Sequence, residues 1–208
     1  MQATPAFAQS EFKANLTRMI RKVGVHGSVG VTQPFDSDVT KGLSTGISVG
    51  LAPGRKTGWK YPFGLAWFSQ ELRGPTGDKF GRFLARPIMA GIGYGWHHGN
   101  LNTSVEVQGG ISFNQVRLEA APSRAFNSDS DVRIKLGNSP IVRPQVRLEY
   151  FLTPKVTLRT SLNYIYTQPH IVVQMPNGPA PGNWDAQAVN FSVGVGYYPF
   201  NKWTGAAR

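Results

Sequence analysis

Short segments in which apolar residues alternate with polar or small ones recur along this chain. In the segment 43–51, which reads LSTGISVGL, most odd positions are Leu, Ile or Val and every even position is Ser or Gly. A period of two places successive side chains on opposite faces of a β-strand. The sequence contains neither helices nor a second sheet that could cover so many apolar faces. The pattern therefore predicts a closed barrel in lipid, apolar outside and polar inside.

Eight strands are predicted, most of about 9–11 residues, the length that a tilted strand needs to cross a bilayer. They run near Val25–Gln33, Gly42–Ala52, Trp59–Trp67, Ile88–Trp96, Leu101–Asn114, Val142–Leu152, Val156–Tyr166 and Val189–Tyr197. Short links alternate with longer, polar links at 70–86, 117–140 and 167–187, so the two kinds fall on opposite rims. We therefore predict an all-β fold, an eight-stranded antiparallel up-and-down transmembrane β-barrel with a short N-terminal amphipathic helix.

The two ends of the chain have a different pattern from the barrel segment, 24–200. Ala6-Phe7-Ala8 has the small-x-small form of a signal-peptidase site, so residues 1–10 are interpreted as a signal-peptide remnant or a disordered tail. Residues 11–23 have apolar positions at helical spacing with basic residues between them. This predicted amphipathic helix either lies in the membrane interface or caps the barrel mouth. Residues 201–208 form a C-terminal tail.

Composition narrows the class of protein and of partner. The chain has 208 residues, enough for one domain, and no cysteine, which excludes disulfides and thiolate metal sites. The net charge is +11, and the basic residues concentrate in the links and at the two ends rather than in a stripe. The link residues are Arg55, Lys56, Arg73, Lys79, Arg82, Arg133 and Lys135. We therefore expect membrane lipids as partners, in particular anionic lipid or lipopolysaccharide phosphates, and no nucleic acid.

Aromatic residues cluster near the ends of the predicted strands. Amphipathic rings prefer the headgroup level of a membrane, so this placement predicts an aromatic girdle. Its members are Trp59, Tyr61, Tyr94, Trp96, Tyr150, Tyr164, Tyr166, Tyr197 and Phe200.

Charged residues fall on the inward parity of three consecutive predicted strands. They are Glu106, Arg143, Arg147, Glu149 and Arg159. Charges in so narrow a lumen must pair, because an isolated buried ion costs several kcal/mol. The pattern predicts a network of Glu106, Arg147, Glu149 and Arg159 that acts as a polar plug or, alternatively, as a gate or narrow ion path.

The segment 150–159, YFLTPKVTLR, and the last strand, 191–200, carry a family resemblance. The chain resembles the small eight-stranded outer-membrane β-barrel proteins of Gram-negative-type bacteria, the family of the OmpA transmembrane domain and OmpX. The last strand is similar to the terminal signal read by the barrel-assembly machinery, although Pro199 precedes Phe200 and residues 201–208 follow. The resemblance implies a bacterial outer-membrane location and a side-chain-filled lumen. We also expect a monomer.

Non-enzymatic and enzymatic functions both remain open at this point. The leading interpretation is a structural or surface-interaction barrel, with a narrow pore as a variant and no cofactor or metal. His26 and Ser28 lie on one face of the first strand, an arrangement similar to that in outer-membrane lipid A deacylases. Their predicted inward facing argues against such an enzyme. A soluble lipocalin-like barrel is a third possibility, and it requires the apolar parity to point inward.

Overall fold

The computed structural model of the protein describes residues 23–36, 39–51, 57–73, 79–118, 133–175 and 178–200. Strands account for nearly all of this part. They are β1 (Val23–Pro34), β2 (Gly42–Leu51), β3 (Gly58–Arg73), β4 (Lys79–His98), β5 (Leu101–Leu118), β6 (Arg133–Leu136), β7 (Ser139–Phe151), β8 (Val156–Thr167), β9 (His170–Met175), β10 (Gly178–Asn183) and β11 (Ala188–Tyr197). Within these ranges, no helix has the length and apolar character that a membrane span requires.

Eight of the strands form a closed antiparallel barrel in the order β1-β11-β8-β7-β5-β4-β3-β2. The first and last strands close it, with Val25 opposite Tyr197 and Pro34 opposite Ala188. Closure leaves no unpaired strand edge, as a sheet surrounded by lipid requires. The predicted all-β, eight-stranded antiparallel barrel is therefore confirmed. The remaining strands β10, β9 and β6 form a separate three-stranded sheet.

The two faces of the barrel wall differ in polarity as the alternation predicts. Val29 is 58% exposed on the outside, whereas Ser104 is 0% exposed on the inside. Large apolar side chains cover the outer face of every barrel strand, a surface far larger than the apolar patches of soluble monomers. We call this surface the lipid-facing belt. A soluble lipocalin-like barrel requires the opposite facing.

The connections define two rims. The short-turn rim is formed by the strand ends Leu51, Gly58, His98, Leu101, Phe151 and Val156, and the long-loop rim is formed by the opposite ends of the same strands. The predicted bounds of the longer links, 70–86, 117–140 and 167–187, were wrong in part, because strands occupy much of them. Strands β3 and β4 continue through most of 70–86, β6 lies within 117–140, and β9 and β10 lie within 167–187.

The polarity of the wall reverses toward the long-loop rim, which is why the sequence pattern ended these strands too early. Inside β3 and β4 most side chains there are apolar, as at Phe68, Leu72 and Phe83, while Arg82 and Arg86 point outward and are exposed. The period of two continues, but the water now lies outside and a small core lies inside. Because the predicted strands were identified by their apolar outer faces, they end where this reversal begins.

An apolar cluster occupies the interior at the long-loop rim. Its buried members are Val39, Ala66, Phe68, Leu72, Phe83, Ala85, Met89, Ile141, Ile165 and Ala188. Trp184 packs edge-on against Phe83 with ring centroids 4.7 Å apart, and its indole Nε1 donates to Asp36 Oδ2 over 2.9 Å. The expectation of a polar interior was therefore wrong for this end of the barrel, because strands that extend beyond the membrane bury apolar residues inward.

Some predictions fall outside the described residues. The tail or signal remnant at 1–10, the helix over residues 11–22 and the C-terminal tail at 201–208 belong to this group. Val23, the last residue of the predicted helix, is the first residue of β1 instead.

Candidate functional site in the barrel lumen

The charged residues that the sequence places inward lie on β5, β7 and β8, which are neighbours in the barrel. In the strand register, Ser104 faces Arg147 and Asn102 faces Glu149 across β5 and β7, while Glu149 faces Arg159 across β7 and β8. Residues directly opposite each other on one face of a sheet have their Cβ atoms about 4.5–5.5 Å apart. The pairing register therefore brings these charges within reach of one another.

Glu106 is 1% exposed and accepts hydrogen bonds on both carboxylate oxygens. Arg147 Nη1 lies 2.6 Å from Oε1, which also accepts from Ser104 Oγ over 3.1 Å. Gln145 Nε2 donates to Oε2 over 2.7 Å, and Gln108 Nε2 lies 3.5 Å from the same atom. This is a charge-assisted ion pair supported by neutral donors, the arrangement that makes a buried carboxylate tolerable.

Glu149 occupies a second position toward the short-turn rim. Its Oε1 accepts from Thr157 Oγ1 and from the Tyr198 hydroxyl, each over 2.9 Å. Lys60 Nζ lies 3.9 Å from Oε2 and Arg159 Nε lies 4.0 Å from Oε1. The close contacts of Glu149 are therefore neutral donors, and its cations stand at a longer distance.

The lumen is thus organised around two carboxylates, each with its own set of donors. Arg143 belongs to neither set, because its Nη2 donates to the neutral Gln108 Oε1 over 2.6 Å. Its Nε has no hydrogen-bond partner among the described residues.

Lys60 and Tyr198 complete the site, although the sequence analysis left both out of the network. Tyr198 is 2% exposed and its ring packs 5.7 Å from that of Phe151. Alternation could have indicated that Tyr198 points inward, because it directly follows Tyr197, which points outward. Glycines make room for both side chains. A Cβ added at Gly24 or Gly95 would lie 2.5 Å from a carbon of the Tyr198 or the Lys60 side chain, respectively.

His26 points into the lumen but is not paired with Ser28. Its Nε2 lies 3.2 Å from the Tyr198 hydroxyl and 3.7 Å from Glu149 Oε1. Among the described residues the structure records no hydrogen bond between His26 and Ser28. A serine nucleophile needs a general base within hydrogen-bond reach, and its substrate must be able to approach it. Neither condition is met for Ser28 and a lipid substrate, because His26 is not hydrogen-bonded to Ser28 and faces the lumen.

The aromatic residues of the predicted girdle all lie on the outer face of the wall at two levels. Those at the short-turn rim are Trp59, Tyr61, Tyr94, Trp96, Tyr150, Tyr197 and Phe200. There Tyr94 contacts Trp59 and Trp96 edge-to-face, with centroid distances of 5.4 and 5.2 Å. Tyr164 and Tyr166 lie toward the long-loop rim, where the Tyr164 ring is 5.9 Å from that of Phe35.

A cluster of basic residues lies beyond the belt, on the outer face of β3, β4 and β5 at the long-loop rim. It comprises Arg73, Lys79, Arg82, Arg86 and Arg117, and we call it the basic rim patch. The strand register places Arg73 opposite Lys79 and Arg82 opposite Arg117. Glu71 joins this face, and the hydrogen bond from Lys79, with Nζ and Oε1 2.9 Å apart, lowers the pKa of that carboxyl. The predicted link residues Arg55 and Lys56 lie outside the described residues.

No family model matches the chain, and no curated protein matches it in sequence. Solved structures match it in fold. The outer membrane protein OprG from Pseudomonas aeruginosa matches with a TM-score of 0.68 at 13% identity, over 84% of this chain and 94% of that one. Neisserial surface protein A gives 0.55 at 14% identity, over 85% and 97%. The outer membrane protein AlkL, solved in DMPC lipid bilayers, gives 0.52 at 13% identity, over 90% and 94%.

At these identities the likeness is one of fold and does not assign an activity. The closed barrel and the lipid-facing belt independently indicate a membrane-spanning protein, because an outer surface this apolar is suited only to lipid. The chain therefore has the fold and the lipid-facing surface of a small eight-stranded transmembrane β-barrel, as these bacterial outer-membrane proteins do.

Proposed function

We propose that this protein is a non-enzymatic outer-membrane barrel that holds anionic outer-leaflet lipid, lipopolysaccharide phosphates in particular, with its basic rim patch. The observation that carries the proposal is the juxtaposition of Arg82 and Arg117 in the strand register, with Arg73 and Lys79 paired on the same outer face. In outer-membrane barrels the longer loops face the exterior, which puts this patch at the outer leaflet.

Charge balance supports a phosphate partner. Among the described residues, the patch holds five cationic side chains and one carboxylate, Glu71, which Lys79 and Arg82 already contact. Arginine guanidinium groups bind phosphate oxygens in a bidentate manner, and a basic residue near an anionic surface contributes about 1 kcal/mol. Like charges directly opposite each other on adjacent strands repel. Glu71 lies 3.9 Å from Arg82 and offsets part of this repulsion, so Arg82 and Arg117 are suited to share a phosphate as a further anion.

The test is binding of the detergent-folded barrel to purified diphosphoryl lipid A, compared with dephosphorylated lipid A. We expect the parent to prefer the phosphorylated lipid. The double variant Arg82→Glu, Arg117→Glu should bind it roughly thirtyfold more weakly, since losing two cationic contacts costs about 2 kcal/mol. Lys155→Glu is the matched control, because Lys155 is an exposed cation on the opposite rim. Equal affinity of parent and double variant would refute the proposal.

For the lumen we propose a structural role, a plug of paired charges and packed apolar residues. Its support is that the Glu106 and Glu149 groups fill one end while the apolar cluster with Trp184 fills the other. The alternative, a narrow pore, is tested by planar-bilayer conductance. We expect no steady conductance from the parent. We expect transient channel openings after Phe83→Ala, which removes a large side chain from the apolar cluster. Steady conductance of the parent would favour the pore.

Two further expectations concern assembly. Strand β11 alternates apolar and small residues along its full length, as a terminal signal for the barrel-assembly machinery requires. We propose that this machinery inserts the chain as a monomer. Apparent mass in detergent tests the monomer, and crosslinking from β11 to the machinery during insertion tests the signal.

A further inference from the structure

The barrel encloses a cavity between the two filled ends, bounded by β1, β2, β3, β7, β8 and β11. Its volume, counted as the space open to the centre of a water-sized sphere, is about 60 Å³. About 10–15 Å³ on this measure holds one water molecule, so the cavity has room for several waters or one small polyatomic ion.

The charged side chains that line this cavity are all arginines. Arg143, Arg147 and Arg159 all border it, whereas neither Glu106 nor Glu149 does. Both carboxylates border a smaller neighbouring cavity instead, together with Lys60. We call the larger space the arginine chamber.

The charges inside the barrel do not balance. Among the described inward-facing residues, Lys60, Arg143, Arg147 and Arg159 are opposed by Glu106 and Glu149 alone. Two positive charges therefore remain without a carboxylate. Uncompensated charge in a lumen of low polarity is costly, and a bound counter-ion is the simplest compensation.

The under-compensated groups are those that face the chamber. Arg147 has its carboxylate at 2.6 Å, but Arg143 donates only to a neutral amide and leaves its buried Nε without a partner among the described residues. Arg159 approaches Glu149 only to 4.0 Å, beyond hydrogen-bond distance. Two guanidinium groups thus have donors to spare.

We propose that the arginine chamber binds one small inorganic oxyanion of the phosphate or sulfate class. Guanidinium groups match the oxygens of such an ion with paired N–H donors. Serine hydroxyls elsewhere in the lining, including Ser28 on β1 and Ser44 on β2, supply neutral donors, as hydroxyls commonly do in oxyanion sites. Neither carboxylate lies in the lining to repel the ion. The site is separate from the basic rim patch and does not depend on lipid binding there.

The experiment is calorimetric titration of the detergent-folded, full-length barrel with inorganic phosphate, at constant ionic strength set by chloride. We expect about one phosphate per chain. We also expect Arg143→Gln to weaken binding tenfold or more, since a hydrogen bond to a charged group contributes about 1.5–3 kcal/mol. Retention of the heat-dependent gel shift shows that the variant is folded. Arg159→Gln is the second variant, with the same expected loss, and it serves if Arg143→Gln fails to fold.

Two controls separate the chamber from general charge effects. Lys155→Gln removes an exposed cation in the turn after β7, outside the lumenal site, and it should keep phosphate binding within about twofold of the parent. The double variant Arg82→Glu, Arg117→Glu lacks the rim pair, and it should still bind about one phosphate per chain in a manner that Arg143→Gln weakens, so that failure of the lipid proposal and failure of this one are distinguishable. The proposal is overturned if the parent binds no phosphate, or if Lys155→Gln and Arg143→Gln weaken binding equally.

Discussion

At the scale of single residues, Glu106 is the side chain on which the most interactions converge. Four donors surround it, with Arg147 and Gln145 within 2.7 Å. Removing it leaves Arg147 as a buried cation whose nearest carboxylate is gone, in a lumen that is already cationic. Glu106→Ala should therefore lower the free energy of unfolding by about 3–5 kcal/mol, measured by reversible denaturant unfolding in lipid vesicles.

Glu71→Ala provides the control for that measurement. Glu71 also contacts cations, but it lies at the rim and is exposed to water, so its removal should leave the unfolding midpoint nearly unchanged. If Glu106→Ala unfolds at the same denaturant concentration as the parent, the buried ion pair contributes nothing and the plug is held by other contacts.

The sequence indicates which residues face inward but not which ones meet. Alternation placed Glu106, Arg147 and Glu149 in the lumen, and the structure places them there. The partner of Arg143 is the neutral Gln108, a choice set by the register of β5 against β7. Register depends on turn lengths and on packing around the whole barrel, so local spacing could not predict it.

At the scale of strands, glycines shape the inner wall by leaving space for a neighbour's side chain. A Cβ added at Gly93 on β4 would overlap the Glu106 side chain and would lie 2.7 Å from the Val105 carbonyl oxygen on β5. Because a backbone atom cannot move aside cheaply, Gly93→Ala should lower the free energy of unfolding by about 1–3 kcal/mol. The same denaturant experiment measures this.

Gly27→Ala is the matched variant, since a Cβ at Gly27 would have nothing within 4 Å. It should unfold like the parent. Equal destabilisation by the two substitutions would point to backbone entropy or strand propensity, and not to the packing of Glu106 against β4.

The element scale also explains what the sequence pattern missed. Along β3 and β4 the apolar parity changes from the outer to the inner face near the end of the belt, so Phe68 and Phe83 point inward. Each residue still follows the alternation of a strand. What changes is which face of the wall meets water. That depends on the assembled barrel in its membrane, so the sequence of one strand does not reveal it.

At the scale of the whole molecule, the lipid-facing belt sets where charge is tolerated. Val105 and Leu101 lie on the same face of β5, at 48% and 41% exposed, but Leu101 sits beside the short-turn rim. Val105→Arg should lower the free energy of unfolding in vesicles by about 2–4 kcal/mol, whereas Leu101→Arg should cost about 0–1 kcal/mol. Equal losses in the free energy of unfolding at both positions would contradict the placement of Val105 within the lipid-facing belt and of Leu101 beside the short-turn rim.

Closure of the barrel predicts a further property of the intact protein. A closed ladder from β1 to β11 resists detergent until it is heated, so boiled and unboiled samples should migrate differently on a gel. The same sample should fractionate with the outer membrane. A freely soluble protein with no mobility shift would overturn the membrane assignment.

The sequence by itself determined the strand period, the eight membrane-crossing segments, the outward parity of the aromatic residues and the inward charges, because each follows from side-chain alternation within one strand. The tertiary structure decided what depends on several strands at once. It set the two carboxylate-centred groups, the inclusion of Lys60 and Tyr198, the apolar core at the long-loop rim and the arginine chamber. These features depend on closure and register, which bring together residues far apart in the chain.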